Sequence, residues 1–181
     1  MACRYRRLVV VGPTGSGKST LAARLARTLG LDLVELDALH WGPSWTEADR
    51  GTFRARADEA TRTTDWVVDG NYHQVRDIVW PRAEAIIWLD LPLPRVFWRL
   101  TSRTVGRGVY RKVLWNGNRE LLWEHLMLWS DHSLYNWLFK TYWRYKREYP
   151  KLFALPEHRH LEIVHLRTAR EADAWLRAAG S

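Results

Sequence analysis

Gly12-Pro13-Thr14-Gly15-Ser16-Gly17-Lys18-Ser19-Thr20 decides how this 181-residue chain is read. The stretch fits the spacing GxxxxGK[ST]. It follows the apolar run Leu8-Val9-Val10-Val11 and precedes residues 21–29, apolar at helical spacing and closed by Gly30. Strand, glycine loop and helix in that order make the pattern a phosphate cradle. Glycines let backbone N–H groups turn inward around a polyphosphate, where side chains would obstruct them. The helix that starts near Lys18 adds its positive dipole end. Gly12, Thr14, Gly15, Ser16, Gly17, Lys18, Ser19 and Thr20 are therefore the expected nucleotide contacts. Lys18 reaches toward the β- and γ-phosphates, and the Ser19 hydroxyl toward Mg²⁺.

Working outward, five apolar runs alternate with helical patterns. Strands are expected at Arg7–Val11, 31–36, Trp66–Asp69, 85–90 and 161–166, with helices at Lys18–Leu29, from Thr46 to about Thr63, from Pro92, at 119–129, 133–149 and 169–178. A short helix is expected around 73–80, closed by Pro81, and Pro150 is expected to stop the helix before it. Strands separated by helices imply a three-layer α/β domain with a mostly parallel sheet. Ligands of such sheets sit beyond the carboxyl ends of the strands. Gly12, Asp37, Asp69, Asp90 and residues 165–167 all fall there.

Length and composition suit one domain over residues 1–181, with 46% hydrophobic and 27% charged residues. No apolar stretch approaches the roughly 20 residues of a membrane span, and nothing resembles a signal peptide. Cys3 is the only cysteine, so no intrachain disulfide can form. A reducing, cytoplasmic setting follows as the expectation. The net charge of +8 suits nucleotides or nucleic acid without choosing between them. Most of the 12 tryptophans are expected in the core.

Phosphoryl transfer needs charge neutralisation, a metal and an aligned acceptor. Asp69 is placed to hold Mg²⁺, directly or through water, with Ser19. Asp37, at the expected end of the neighbouring strand, is placed to take a hydrogen bond or proton from an acceptor hydroxyl. Asp90 precedes Leu91-Pro92 and has the competing task of satisfying local backbone N–H groups, and His165 reads as strand-end packing. Trp41, Trp45 and Tyr72 either stack on a base or roof the core. Arg95, Arg99, Arg103, Arg107 and Arg111 recur every four residues with no acid between Asp90 and Glu120. Like charges at that spacing repel, so the stripe calls for an anionic partner. Gly106, Gly108, Asn116 and Gly117 mark 106–118 as a lid connection, part of a helical insertion over about 106–149.

The P-loop, Asp69-Gly70, residues 87–92 (Ile-Trp-Leu-Asp-Leu-Pro) and the Arg99 and Arg103 pair resemble the adenylate-kinase-like small P-loop kinases. Asp37 to Trp41 with Pro43-Ser44-Trp45, Asp69-Gly70-Asn71-Tyr72 and Gly117-Asn118-Arg119-Glu120 are similar to bacterial proteins labelled adenylate-kinase-like or "DNA topology modulation protein". The resemblance, covering residues 7 to 178, implies a five-stranded sheet of order 2-3-1-4-5 with a helical lid. It implies Asp69 near the metal through water, Arg99 and Arg103 as paired lid arginines on adenine and phosphates, Arg119 on the lid side, and Arg167 beside the adenine. Asn71-Tyr72 stands where adenylate kinases carry Pro-Arg. Asp37 is closer to what shikimate- and gluconate-type kinases use to hold a hydroxyl. The expectation is an ATP- and Mg²⁺-dependent kinase, its catalytic set Lys18, Asp37, Asp69, Arg99 and Arg103, acting on a small acceptor such as a nucleotide or nucleoside, with AMP disfavoured. The alternative is a nucleic-acid-associated ATP-binding protein, supported by the charge and by the aromatics among bases at 137–149; nucleic acid is a secondary partner under the first reading. A GTPase is disfavoured because no Asn-Lys-x-Asp motif occurs.

Overall fold

The computed structural model describes residues 5–110 and 134–180. Five parallel strands, β1 (Arg7–Val11), β2 (Asp32–Glu35), β3 (Trp66–Asp69), β4 (Ala85–Leu89) and β5 (Glu162–Leu166), form one sheet of order β2-β3-β1-β4-β5. The three central strands are buried on both faces because their residues alternate between two cores. Val9, Val11, Trp66, Val68, Ile86 and Trp88 point into one. Leu8, Val10, Val67, Ala85, Ile87 and Leu89 point into the other.

Helices cover both faces. On the second core lie α1 (Lys18–Leu29), through Leu21, Ala22 and Leu25, and the last helix, α7 (Ala169–Ala179), through Leu176. The first core takes Leu36 of α2 (Leu36–His40), Phe53 and Ala57 of α3 (Arg50–Ala60), Val79 of α4 (Arg76–Val79), and Tyr145 and Tyr149 of α6 (Leu134–Phe153). A third cluster joins α5 (Leu93–Tyr110) to α6 beyond the strand ends, through Leu91, Val96, Leu100, Tyr135, Leu138 and Tyr142. The three-layer architecture and strand order are those expected. Among the described residues no helix is long and apolar enough to cross a membrane.

Several local expectations change. The second strand stops at Glu35, and Asp37 lies in the first turn of α2. Thr46 does not cap α3: Asp49 does, its Oδ1 accepting the Thr52 N–H at 3.0 Å, while Thr46 Oγ1 donates to Pro43 O. Pro150 does not stop its helix, which runs on to Phe153. Proline removes one N–H near that end, and Phe153 packs on Trp80 and Trp88 (5.8 Å each), contacts that reward the extra turn. Gly106 and Gly108, expected to open a connection, belong to α5. The expected helix at 119–129 and the remainder of the connection lie outside the described residues.

Tryptophan is less confined to the core than expected. Trp66, Trp80 and Trp88 are buried, but Trp98, Trp137 and Trp143 are 71%, 53% and 56% exposed. Those three sit on α5 and α6, whose inward faces are already filled by Val96, Leu100, Leu138 and Tyr142.

Candidate functional site

The phosphate loop is shaped by what its glycines exclude. Gly12 takes φ 152° and Gly17 φ 95°, conformations that L side chains rarely adopt. A Cβ at Gly12 would lie 2.6 Å from Leu89 O, and one at Gly17 2.9 Å from the Arg99 guanidinium. The Ser16 N–H donates to Pro13 O at 3.1 Å, closing the loop. Gly17 caps α1 without a side-chain hydrogen bond, and no acid lies in the first turn. The first-turn N–H groups therefore face outward as donors for an anion. Lys18 Nζ folds back on Pro13 O at 3.4 Å, Ser16 is buried, Thr14 and Gly15 are half-buried, and Ser19 and Thr20 stand exposed.

Sheet register brings the carboxylates alongside this loop. Glu35 pairs with Asp69, and Asp69 with Val10, two residues before Gly12. Asp69 is 5% exposed, and its Oδ1 has no hydrogen-bond partner among the described residues. Burial raises its pKa above the ordinary carboxylate value; Lys18 and a hydrogen bond from Ser19 oppose that shift, and the charges of Asp37 and Glu35 add to it. Asp37 accepts a hydrogen bond from the Tyr72 hydroxyl at 2.7 Å. Burial, with the neighbouring Asp37 carboxylate, pushes the Tyr72 phenol far above its ordinary pKa, so it stays a donor.

Between those two acids stands a residue that sequence reasoning passed over as a site residue. Asn71 grips Gly12 at both ends of its amide: Nδ2 donates to Gly12 O at 2.5 Å, and Oδ1 accepts the Gly12 N–H at 3.1 Å. The tetrapeptide Asp69-Gly70-Asn71-Tyr72 thus touches Ser19, the loop entry and Asp37 in turn. The signal was present, as Asn-Tyr in place of the Pro-Arg of adenylate kinases, but its partners are far apart in sequence.

Arg99 donates to Ser16 O at 3.2 Å and lies against Gly17, so one member of the arginine stripe sits over the phosphate loop. Arg103 lies one turn further along α5, half-buried, and Arg95 is exposed. Arg167 is exposed after β5; its backbone N–H is held by Glu171, while Thr168 caps α7. Asp90 does more than satisfy local backbone. Its Oδ1 meets Lys146 Nζ at 3.2 Å and its Oδ2 meets His165 Nε2 at 3.0 Å, tying α6 to the ends of β4 and β5. His165 also stacks on Trp88 at 4.0 Å, the packing role expected of it. Trp41 and Trp45 meet edge to face at 5.7 Å, beside His40 and Tyr72.

Among the described residues no group of three or more His, Cys, Asp or Glu side chains could hold a metal. The donor set fits Mg²⁺ of the phosphate-bound kind instead, which keeps most of its waters and takes one or two protein ligands. The exposed Ser19 hydroxyl and the buried, unpartnered Asp69 oxygen would be those donors.

Comparison with known proteins agrees on the scaffold. A family model described as "AAA domain" matches residues 8–91, just under half of the chain. A tRNA dimethylallyltransferase from Synechococcus sp. (strain CC9902) is 36% identical over 62 residues, 34% of this chain; the match spans 20% of that protein. Shikimate kinase from Acinetobacter baumannii, solved with shikimate, superposes with a TM-score of 0.56 at 16% identity, covering 97% of this chain and 91% of that one. A gluconokinase from Sinorhizobium meliloti 1021 superposes with a TM-score of 0.52 at 21% identity, covering 97% and 93%. At those identities the likeness is one of fold: the P-loop kinase arrangement of sheet and helices.

Proposed function

We propose that the chain is an ATP-dependent phosphotransferase that moves the γ-phosphoryl group to a hydroxyl of a small molecule. The observation that carries this reading is the parallel register that pairs Asp69 with Val10, two residues before the phosphate loop, and with Glu35, after which Asp37 follows in the first turn of α2. Lys18 and the α1 N-terminus bind the phosphates, with Arg99 above them and Arg103 one turn on as the lid-side cation. Ser19 and Asp69 would hold Mg²⁺, whose charge neutralises the transferring phosphoryl group. Asp37 accepts the hydrogen bond of the incoming hydroxyl and takes its proton. The acceptor oxygen bonds to Pγ while the Pγ–O bond to the β-phosphate breaks, its electron pair leaving on ADP. Arg167 is the adenine-side residue.

Glu35 and Asp37 lie near enough to Asp69 for their charges to act on it, which makes the proposed acceptor side acidic. They disfavour a phosphate acceptor such as a nucleoside monophosphate and favour an uncharged hydroxyl. The resemblance to adenylate kinases therefore extends to the donor half of the site only. A screen of hydroxyl compounds and nucleoside monophosphates with ATP and Mg²⁺, reading ADP release above the blank without acceptor, tests this. Stimulation by an uncharged hydroxyl compound is expected; stimulation by monophosphates alone would refute it.

A second reading, an ATP-binding protein acting on nucleic acid, is favoured by one observation. Trp137 and Trp143 stand more than half exposed on α6 among exposed Lys140, Arg144 and Arg147, the mixture that single-stranded nucleic acid engages by stacking and charge. Steep loss of oligonucleotide binding with salt, together with ATP turnover that depends on the oligonucleotide, would select it.

A further inference from the structure

The loop that follows Asp37 carries features the reading above leaves unused. Ser44 and Trp45 take φ 57° and 56°, the left-handed region, in succession and without glycine. Such pairs persist only where surrounding contacts enforce them. Here Gly42 N–H donates to Thr46 O at 2.7 Å, Thr46 N–H to Pro43 O at 3.3 Å, and Trp41 bridges Glu47. The strained turn sets the Trp45 ring on the edge of Trp41. On its other side Trp41 packs against buried His40 at 4.9 Å.

Trp41 forms a side-chain hydrogen bond with Tyr72. An indole has a donor and no acceptor, so the direction is fixed: Trp41 Nε1–H donates to the Tyr72 oxygen. The phenol hydrogen is then free to point only elsewhere, and it points to Asp37 Oδ1 at 2.7 Å. His40 and Phe53 hold the Tyr72 ring at 4.9 and 5.1 Å, so the phenol does not swing away. One oxygen is committed as an acceptor and the other is left for an incoming hydroxyl.

We propose that Trp41 and Tyr72 are positioning residues, a one-way hydrogen-bond relay Trp41→Tyr72→Asp37 that fixes the orientation of the Asp37 carboxylate, with one oxygen turned to the acceptor hydroxyl. The relay rests on the assignment of Asp37 to the acceptor in the proposed function. It adds a reason for the aromatic, strained loop: Asp37 sits on a helix of only five residues, and such a short element does not fix a side chain alone. The same three residues specify the class of acceptor. A carboxylate already receiving a proton-donating bond discriminates for groups that themselves donate, alcohols and polyols, over groups that only accept.

The test uses the full chain, with water as the acceptor probe, ADP release from Mg·ATP being followed without added compound. Tyr72→Phe keeps the ring packing and removes the bridge. It should lower kcat roughly 10- to 100-fold, the scale of a misplaced reactive group, with KM for ATP unchanged. In a ¹H–¹⁵N spectrum the Trp41 indole N–H, identified by its loss in Trp41→Phe, should shift in Tyr72→Phe as its acceptor disappears. Trp41→Phe should lower kcat in the same direction and by less. An unmoved indole resonance in Tyr72→Phe would overturn the relay itself. A moved resonance with unchanged kcat, while Asp37→Asn is impaired, would overturn its role in positioning. If Asp37→Asn also turns over normally, the Asp37 assignment falls and takes the relay's function with it, and the moved resonance identifies that case as distinct.

Discussion

Two regions of the molecule, the proposed cleft and the outer face of α5 and α6, are built differently. Around the phosphate loop, polar groups are committed to one another across long stretches of chain: Asn71 to Gly12, Arg99 to Ser16 O, Tyr72 to Asp37. On the outward face of α5 and α6, large apolar side chains and cations stand in solvent, with Trp98 at 71% and Trp143 at 56% exposure. The first region is preorganised, so a ligand finds its donors already aimed. The second is a surface whose contacts come from outside. The contrast teaches where chemistry and where affinity for larger partners should reside, and substitutions can separate the two.

The largest effect should come from Lys18→Ala, which removes the cation proposed to meet the transferring phosphoryl group. Turnover should fall by about 10³ or more, with the fold retained, since the structural loss is one hydrogen bond to Pro13 O and a charge beside Asp69. ADP release and a melting curve on one preparation check both parts.

Asp69→Asn follows, with turnover lower by on the order of 10² and Mg²⁺ dependence altered. Its stability effect runs the other way. Burial raises the folded-state pKa of Asp69 above its unfolded value, so its contribution to stability is full below the unfolded pKa. That contribution is lost as pH rises through the raised one. Near neutral pH the neutral amide should therefore melt higher than wild type, and the gain should vanish in acid.

Asn71→Ala should cost less in turnover, roughly tenfold, together with about 1–3 kcal/mol of stability from two lost hydrogen bonds at a half-buried site. Urea unfolding measures the second part. If the loop entry holds its shape without Asn71, the contrast between the two regions loses its sharpest member.

The smallest effect on chemistry is expected on the outer helix face. Trp143→Ala should leave small-acceptor turnover within about twofold and stability within about 0.5 kcal/mol. Any binding of single-stranded oligonucleotide should weaken, base stacking being worth about 1–3 kcal/mol per aromatic. A turnover loss as large as that of Asn71→Ala would place this face in the cleft and dissolve the contrast.

The sheet and the phosphate loop were legible because their signals are local. Apolar runs such as residues 8–11 and 85–89 declare buried strands, and glycine spacing declares the cradle. The strand before Asp37 was drawn too long; Leu36 reads equally as the last strand residue or the first of a helix, and only packing into the first core decides. Tyr72, Asn71 and Asp90 each take partners 35 to 75 residues away, which no pattern of spacing specifies. Tryptophan exposure was hidden for a related reason. On α6 the inward positions are taken by Leu138, Tyr142, Tyr145 and Tyr149, so Trp137 and Trp143, apolar in the same pattern, are left outside.

The most direct test of hydroxyl phosphorylation is the fate of the γ-phosphoryl group, followed by ³¹P NMR with Mg·ATP and a pool of small alcohols and polyols. Transfer to a hydroxyl gives a new phosphomonoester resonance that grows in step with ADP and disappears in Asp37→Asn. Inorganic phosphate as the sole product, or transfer only to an added nucleoside monophosphate, would contradict it.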